Sequence, residues 1–342
     1  MDSPESQSSL RHAAEILRSG GTVAFPTETV YGLGANALNE AAVANIFLAK
    51  QRPAWDPLIV HVCDQAMLAR VAGPFGEQTG ARAGKLMKAF WPGPITLLLP
   101  KQAAVPSAVT AGRSRVGVRM PQHPVALELI RLAEIPVAAP SANLFGNTSP
   151  TRATHVLEDL DGRIDAVLDG GPSQVGVEST VLDVSPEDGG EMLIYREGAI
   201  TLEQIEVVAG AVRIYTPPAG LEMARQEGLP SPGVGLRHYA PRARLVLVQD
   251  AENLQQEKRR LAEAAETIGV MLPLGWTLAQ RDQTIVFPWG PMGDVAAQSR
   301  TLFAGLRELD AKGATVILCP LPAPVGLGLA MRDRLLKASR QW

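Results

Sequence analysis

The stretch from Thr216 to Pro241 limits the fold more than any other part of this sequence. Three proline and glycine clusters fall in it, Pro217-Pro218-Ala219-Gly220, Pro230-Ser231-Pro232-Gly233 and Ala240-Pro241, with little apolar periodicity between them. Proline fixes φ and removes a backbone donor, so neither a long helix nor a central strand can run through such a segment. On either side, helical and strand-like apolar patterns alternate. At 342 residues the chain also exceeds one ordinary core. The pattern predicts two domains, 1–210 and 243–342, joined by a connector over 211–242.

In the first domain, Leu10 to Arg18 has helical spacing and stops at Gly20-Gly21 before the apolar run Thr22–Phe25. Asn39 is placed to cap a helix over Ala41–Lys50. Pro57–Val62, Ile95–Leu99, Val116–Met120, Pro136–Ala139, Ala166–Leu168, Thr180–Val184 and Met192–Tyr195 read as strands, and Thr201 with Gln204 as a capping box. After the connector, Leu245–Val248, Ile268–Leu272, Thr284–Phe287 and Thr315–Leu318 alternate with helical stretches near Glu252–Thr267, Asp294–Leu309 and Leu327–Ser339. Near-continuous apolar strands of this kind imply a small, mainly parallel sheet covered on both faces.

The formal charge of −3 excludes a polyanion binder held by bulk electrostatics, so any nucleotide or nucleic acid must be met by a local basic site. Met1 to Ser9 is polar and acidic, and no later run approaches the length of a membrane span, so the reading expects a cytoplasmic chain without a membrane partner. Cys63 and Cys319 each end an apolar run and read as reduced thiols.

Polar residues gather at strand ends. Pro26-Thr27-Glu28-Thr29-Val30-Tyr31-Gly32-Leu33-Gly34 follows a strand and offers hydroxyls and close backbone approach, or else a turn whose threonines satisfy local backbone groups. Lys50 and Arg52 close a helix, where cations also suit the dipole. His61 lacks a second His or Cys at ligand spacing and reads as a core or substrate-facing imidazole. Alternation along Arg115–Arg119 puts Arg115, Gly117 and Arg119 on one face, and Arg119 suits a carboxylate or phosphate. Ser141 lacks the G-x-S-x-G setting of a nucleophile and reads as a hydrogen-bonding ligand. No G-x-x-x-x-G-K-[ST] string occurs, so ATP would have to be held without a P-loop.

Taken in order, Pro26–Gly34, Lys50-x-Arg52-Pro53, Pro57–His61, Val116–Pro121, Ala139–Asn143 with Ser149-Pro150-Thr151, Gly176–Val181 and Arg196-Glu197-Gly198 resemble the YrdC-type domain of threonylcarbamoyl-AMP synthases. Ser231–Pro241 is similar to the connector of the long members, and Leu245–Trp342 to their C-terminal extension. The resemblance implies an α/β protein with a YrdC-like twisted open sheet and a smaller, Rossmann-like, mainly parallel second domain. It implies a nucleotidyltransferase that makes threonylcarbamoyl-AMP and pyrophosphate from L-threonine, bicarbonate and ATP, with Mg2+ carried by ATP and none held by protein side chains. The product would pass to the tRNA threonylcarbamoyl transferase machinery for N6-threonylcarbamoyladenosine modification, and a direct tRNA contact stays open. By the same resemblance Thr29, His61, Arg119 and Ser179 face threonine. Lys50, Arg52, Asp56, Ser141, Asn143, Ser149, Arg196 and His238 surround ATP, with Lys50 and Arg52 as the catalytic cations. Three positions depart from the family pattern: Asp56 replaces a common Asn, Val234 a Met, and Arg115 a small hydroxyl residue. A double-stranded RNA module without synthase activity is the competing expectation, and carbamoyl transfer to a protein a second one.

Overall fold

The computed structural model describes residues 3–185, 190–216, 229–233, 238–264, 266–278 and 284–340. Val234 and Arg237 lie outside them. The N-terminal part runs α1 (Pro4–Arg18), β1 (Val23–Phe25), β2 (Gly32–Asn36), α2 (Glu40–Lys50), β3 (Ile59–His61), α3 (Gln65–Val71), α4 (Glu77–Phe90), β4 (Ile95–Pro100), α5 (Ser107–Thr110), β5 (Arg115–Arg119), α6 (Pro124–Ala133), β6 (Val137–Ala138), α7 (Ala153–Leu160), β7 (Ala166–Val167), β8 (Thr180–Asp183), β9 (Met192–Arg196), α8 (Leu202–Ala209) and β10 (Val212–Ile214). The strands form one mixed sheet in the order β10-β9-β8-β4-β5-β3-β6-β2-β1-β7.

Local sequence explains the elements that frame it. Ser3 caps α1, whose Leu10, Ala13, Ala14 and Leu17 fall on one helical face and pack toward the buried face of α6. Burying a leucine such as Leu17 contributes about 1.5–3 kcal/mol. Asn39 caps α2, and Thr201 with Gln204 forms the expected capping box of α8. Alternation then divides the sheet. Val60, Leu97, Leu99, Val116 and Val118 enter the main core, while Ile59, Leu98 and Val181 form a small cluster on the other face. Gly117 lies on that second face, its Cα hydrogen aimed at Thr96, Leu98 and Ile59. His61 and Arg119 continue this face in register with each other.

Two stretches differ from the sequence reading. Gly32–Asn36, read as part of a loop, is β2, because Gly34 lets the backbone lie against the Phe25 ring and Val137. Val212–Ile214, read as the start of the connector, adds a parallel edge strand to β9. The described connector residues bridge the two domains: Leu229 N–H donates to Trp55 O at 2.8 Å and Ala240 N–H to Gly146 O at 2.9 Å, while Tyr239 stacks on Phe303 and Arg242 N–H donates to Asp310 at 2.7 Å.

The second domain runs β11 (Arg244–Val248), α9 (Ala251–Glu263), β12 (Ile268–Leu274), β13 (Thr284–Pro291), α10 (Val295–Ala311), β14 (Val316–Pro320) and α11 (Leu327–Ala338). Its sheet is parallel throughout, in the order β11-β14-β12-β13. Ile317 and Cys319 meet α10 and α11 on one face, and Val316 and Leu318 meet α9 on the other. Both faces are therefore covered, as the apolar strands require.

The domains touch through backbone. Gly176, at φ 84°, faces Ser299 O and Arg300 Cα of α10, where a Cβ would collide with both, and Ser299 Oγ donates to Val175 O at 2.6 Å. Gly176→Ala is expected to cost about 1–3 kcal/mol through this overpacking and the positive φ. The check is the urea midpoint of the full chain, and an unchanged midpoint would contradict so close an approach.

Candidate active site

A cleft of about 560 Å³, its open mouth included, lies over the second face of the large sheet. Its first wall is the connection between β1 and β2. Thr27 Oγ1 donates to Val30 O at 2.6 Å, so its single proton is committed. The 2.8 Å contact between the Thr27 and Thr29 hydroxyls is then donated by Thr29. Arg119 Nη1 donates to Thr29 Oγ1 at 2.9 Å, and Nη2 lies 2.6 Å from Glu28 Oε1. The second Glu28 oxygen accepts from Gln122 N–H at 3.1 Å. Beside Arg119, the His61 ring packs edge-on to Phe25 at 6.1 Å, and its Nδ1 has no hydrogen-bond partner. Burial, and next the Arg119 guanidinium, push its pKa down from 6.5 to about 3, so the imidazole is neutral near pH 7.

A second group spans the ends of β8 and β9. Ser179 Oγ shares a 2.8 Å hydrogen bond with Thr96, and Arg196 donates from Nε to Ser179 O and from Nη2 to Ser179 Oγ, both at 3.1 Å. Among the described residues no carboxylate forms an ion pair with Arg196. Its pKa is lowered, by burial above all. A buried guanidinium without an ion-pair partner is a natural anion site.

A third group surrounds the end of α2. Arg52 donates to Asp56 O at 3.1 Å and Pro57 O at 2.7 Å, and pairs with the Asp56 carboxylate at 3.0 Å. Lys50 Nζ donates to Ser141 O at 2.6 Å and to Asn143 O. Burial, then the neighbouring Arg52, lowers its pKa well below the ordinary lysine value. Ser141 Oγ donates to Asn143 Oδ1 at 2.5 Å, while Asn143 Nδ2 donates to Leu144 O and Asn147 O at 2.7 and 2.8 Å.

Of the residues singled out from sequence, Thr29, Arg52, His61, Arg119, Ser141, Ser179, Arg196 and His238 line the one cleft. Lys50, Asp56, Asn143 and Ser149 stand behind its wall: Lys50 and Asn143 shape the turn that carries Ser141, Asp56 holds Arg52, and Ser149 donates to Glu178 at 2.6 Å. His238 joins an aromatic row, 5.6 Å from Phe145 and 4.1 Å from Tyr239, and Phe145 in turn lies 5.9 Å from Trp55. Burial first, then Arg52, pushes the His238 pKa well down. Pro232, Gly233 and Tyr239 line the cleft beside it, so the connector forms part of its wall. Arg115 shares a sheet face with Arg119, as predicted, but lies outside the cleft lining, where it pairs with Asp183 at 3.0 Å and donates to Ser185 O.

Sequence reasoning noted Glu178 among the polar groups at strand ends but gave it no role, and it missed Arg334, which reaches Glu178 from α11 at 3.0 Å. In sequence, Arg334 is one charge on an amphipathic helix, and no local signal marks it. Among the described residues no three His, Cys, Asp or Glu side chains are grouped to hold a metal ion.

Residues 15–198 match the Sua5, YciO and YrdC family model, described as "Telomere recombination", and residues 200–340 match "Threonylcarbamoyl-AMP synthase, C-terminal domain". The chain is 43% identical to the threonylcarbamoyl-AMP synthase of Pyrococcus abyssi, covering 96% of this chain and 94% of that one. It is 42% identical to that of Bacillus subtilis, over 96% and 92%. The structure of P. abyssi Sua5 complexed with L-threonine superposes with a TM-score of 0.87 at 42% identity, over 96% of this chain and 94% of that one. With both domains matched and relatives of this similarity covering nearly its whole length, the chain belongs to the threonylcarbamoyl-AMP synthase family.

Proposed function

We propose that this chain is an L-threonylcarbamoyladenylate synthase, condensing L-threonine, bicarbonate and ATP into threonylcarbamoyl-AMP and pyrophosphate. The observation that carries the reading is three buried guanidiniums, Arg52, Arg119 and Arg196, lining one cleft, with Arg196 free of any carboxylate ion pair among the described residues. Arg119 with Thr29 suits the amino acid, with neutral His61 and Ser179 beside them. Arg52, Ser141, Arg196 and His238 suit the nucleotide. In the reaction the threonine nitrogen bonds to the carbon of bicarbonate with loss of water. An oxygen of the resulting carbamate then attacks the α-phosphorus of ATP, and pyrophosphate leaves. Two anions must meet in this step, and fixed cations offset their repulsion while spreading charge in the transition state. Mg2+ enters with ATP as part of that substrate. Lys50 and Asp56 serve from behind the wall, Lys50 by pinning the Ser141 turn and Asp56 by holding Arg52. The product would pass to a tRNA threonylcarbamoyl transferase in the cytoplasm.

A double-stranded RNA module needs cations on an exposed face to track A-form phosphates. Arg52, Arg119 and Arg196 are 8%, 4% and 6% exposed, which suits a small ligand drawn into the cleft.

Threonine-dependent release of pyrophosphate from ATP tests the reading, and its absence from the full chain would overturn it. Loss of a charge-assisted hydrogen bond costs roughly 1.5–3 kcal/mol. Arg52→Ala and Arg196→Ala should each therefore lower kcat/KM by about one to two orders of magnitude.

The imidazoles also set a pH dependence. His61 binds its proton at 6.5 when unfolded but only near 3 when folded, so between those values the unfolded chain holds more protons. This contribution is fully present above 6.5 and is lost as pH falls from 6.5 toward 3; buried His238 acts in the same direction. The urea midpoint should be lower at about pH 5 than at about pH 7.5, and His61→Gln should shrink that difference. An equal difference in the variant would show that His61 is already protonated in the fold.

A further inference from the structure

Helix α11 of the C-terminal domain reaches into the cleft wall. Arg334, 1% exposed, donates from Nε to Glu178 Oε2 at 3.0 Å and from Nη1 to Glu197 O at 2.7 Å, and its guanidinium lies over the Tyr239 ring at 5.3 Å. One turn on, Lys337 donates to Gly233 O at 2.6 Å. Glu178, Gly233 and Tyr239 all line the cleft, and Glu178 and Glu197 each precede or follow one of its polar residues, Ser179 and Arg196.

These two segments are locked together. Gly198 lies so close to Thr180 N and Glu178 O that a Cβ there would strike both, and Arg196 donates to Ser179 O. The Glu178 carboxylate and the Arg196 guanidinium line the same cleft, and the two opposite charges act on each other there. Its two oxygens are already occupied, Oε1 by the Ser149 hydroxyl at 2.6 Å and Oε2 by Arg334. Without Arg334, a buried carboxylate would face Arg196 with one oxygen vacant and its charge unbalanced, and the two would pair.

We propose that Arg334 is a positioning residue of the synthase: by occupying and neutralising Glu178 from the second domain, it keeps Arg196 available to the phosphates of ATP. This rests on the proposed reading of Arg196 as a phosphate-facing cation. It assigns the C-terminal domain a defined part in the site, exerted through one guanidinium.

The test uses the full chain and four variants: Arg334→Met, Arg334→Lys, Glu178→Gln, and Arg334→Met with Glu178→Gln. Threonine-dependent pyrophosphate release is measured against ATP concentration, with domain docking followed by small-angle scattering. Arg334→Met is expected to raise the KM for ATP by about tenfold or more, as truncation of a buried charge pair does. Adding Glu178→Gln should recover most of that loss, because the carboxylate that captures Arg196 is gone. Arg334→Lys, which keeps a charge beside Glu178 but loses the forked contact to Glu197 O and the stacking on Tyr239, should fall between the parent and Arg334→Met. A role confined to holding the domains together predicts the opposite, a double variant at least as impaired as Arg334→Met, and that result would overturn the proposal. So would an unchanged KM for ATP in Arg334→Met. If Arg334→Met does not fold, Arg334→Lys is combined with Glu178→Gln instead, and a double variant no better than Arg334→Lys overturns the proposal. If the parent chain releases no pyrophosphate, the functional reading fails on its own. Calorimetric titration of ATP into the same variants then tests the Arg334 relation, with weakened binding and its recovery supporting it and equal binding sinking it.

Discussion

Burial of positive charge governs the construction of this protein. Arg52, Arg119, Arg196, Arg334 and Lys50 are all nearly excluded from water. Each such ion carries a desolvation penalty of several kcal/mol that local partners must offset. The partners differ, and so do the outcomes. Arg119 and Arg334 meet carboxylates, Arg52 meets Asp56 and two carbonyls, and among the described residues Lys50 donates to carbonyls and Arg196 to Ser179. Of the three guanidiniums that line the cleft, Arg196 has no carboxylate ion pair among the described residues, and it is therefore the one that most favours an anionic ligand.

Much of the fold was readable because its signals are local. Asn39 and the Thr201–Gln204 box cap helices where capping chemistry says they should, and the strands of the second domain follow their apolar runs. Gly32–Asn36 was harder. A glycine-rich stretch reads as a turn until the aromatic ring it must pass, that of Phe25, is known to lie beneath it. Edge strand β10 was hidden for a related reason: it is held by pairing with β9, which sequence reading places in another domain segment, and Arg213 and Ile214 stay exposed.

The site was readable in its identities and less so in its geometry. Motif order brought Thr29, Arg52, His61, Arg119, Ser141, Ser179, Arg196 and His238 to one cleft. Whether a side chain faces the cleft or braces it from behind depends on a backbone turn. Lys50 points at the carbonyls of Ser141 and Asn143 because the chain after Pro140 curls over the end of α2. Asn143 closes the same turn with its amide. No spacing rule carries that information, and none marks Arg334, whose partner Glu178 lies in the other domain.

That last contact spans 156 positions of sequence. Its two ends belong to units with separate hydrophobic cores, so it exists only where the domains meet. The cleft is therefore complete only when the two domains are docked. A chain whose first domain has folded holds most of the binding groups but lacks the charge balance at Glu178. The second domain thus sets the charge of a wall it does not itself build, and the two domains form one electrostatic unit at the cleft.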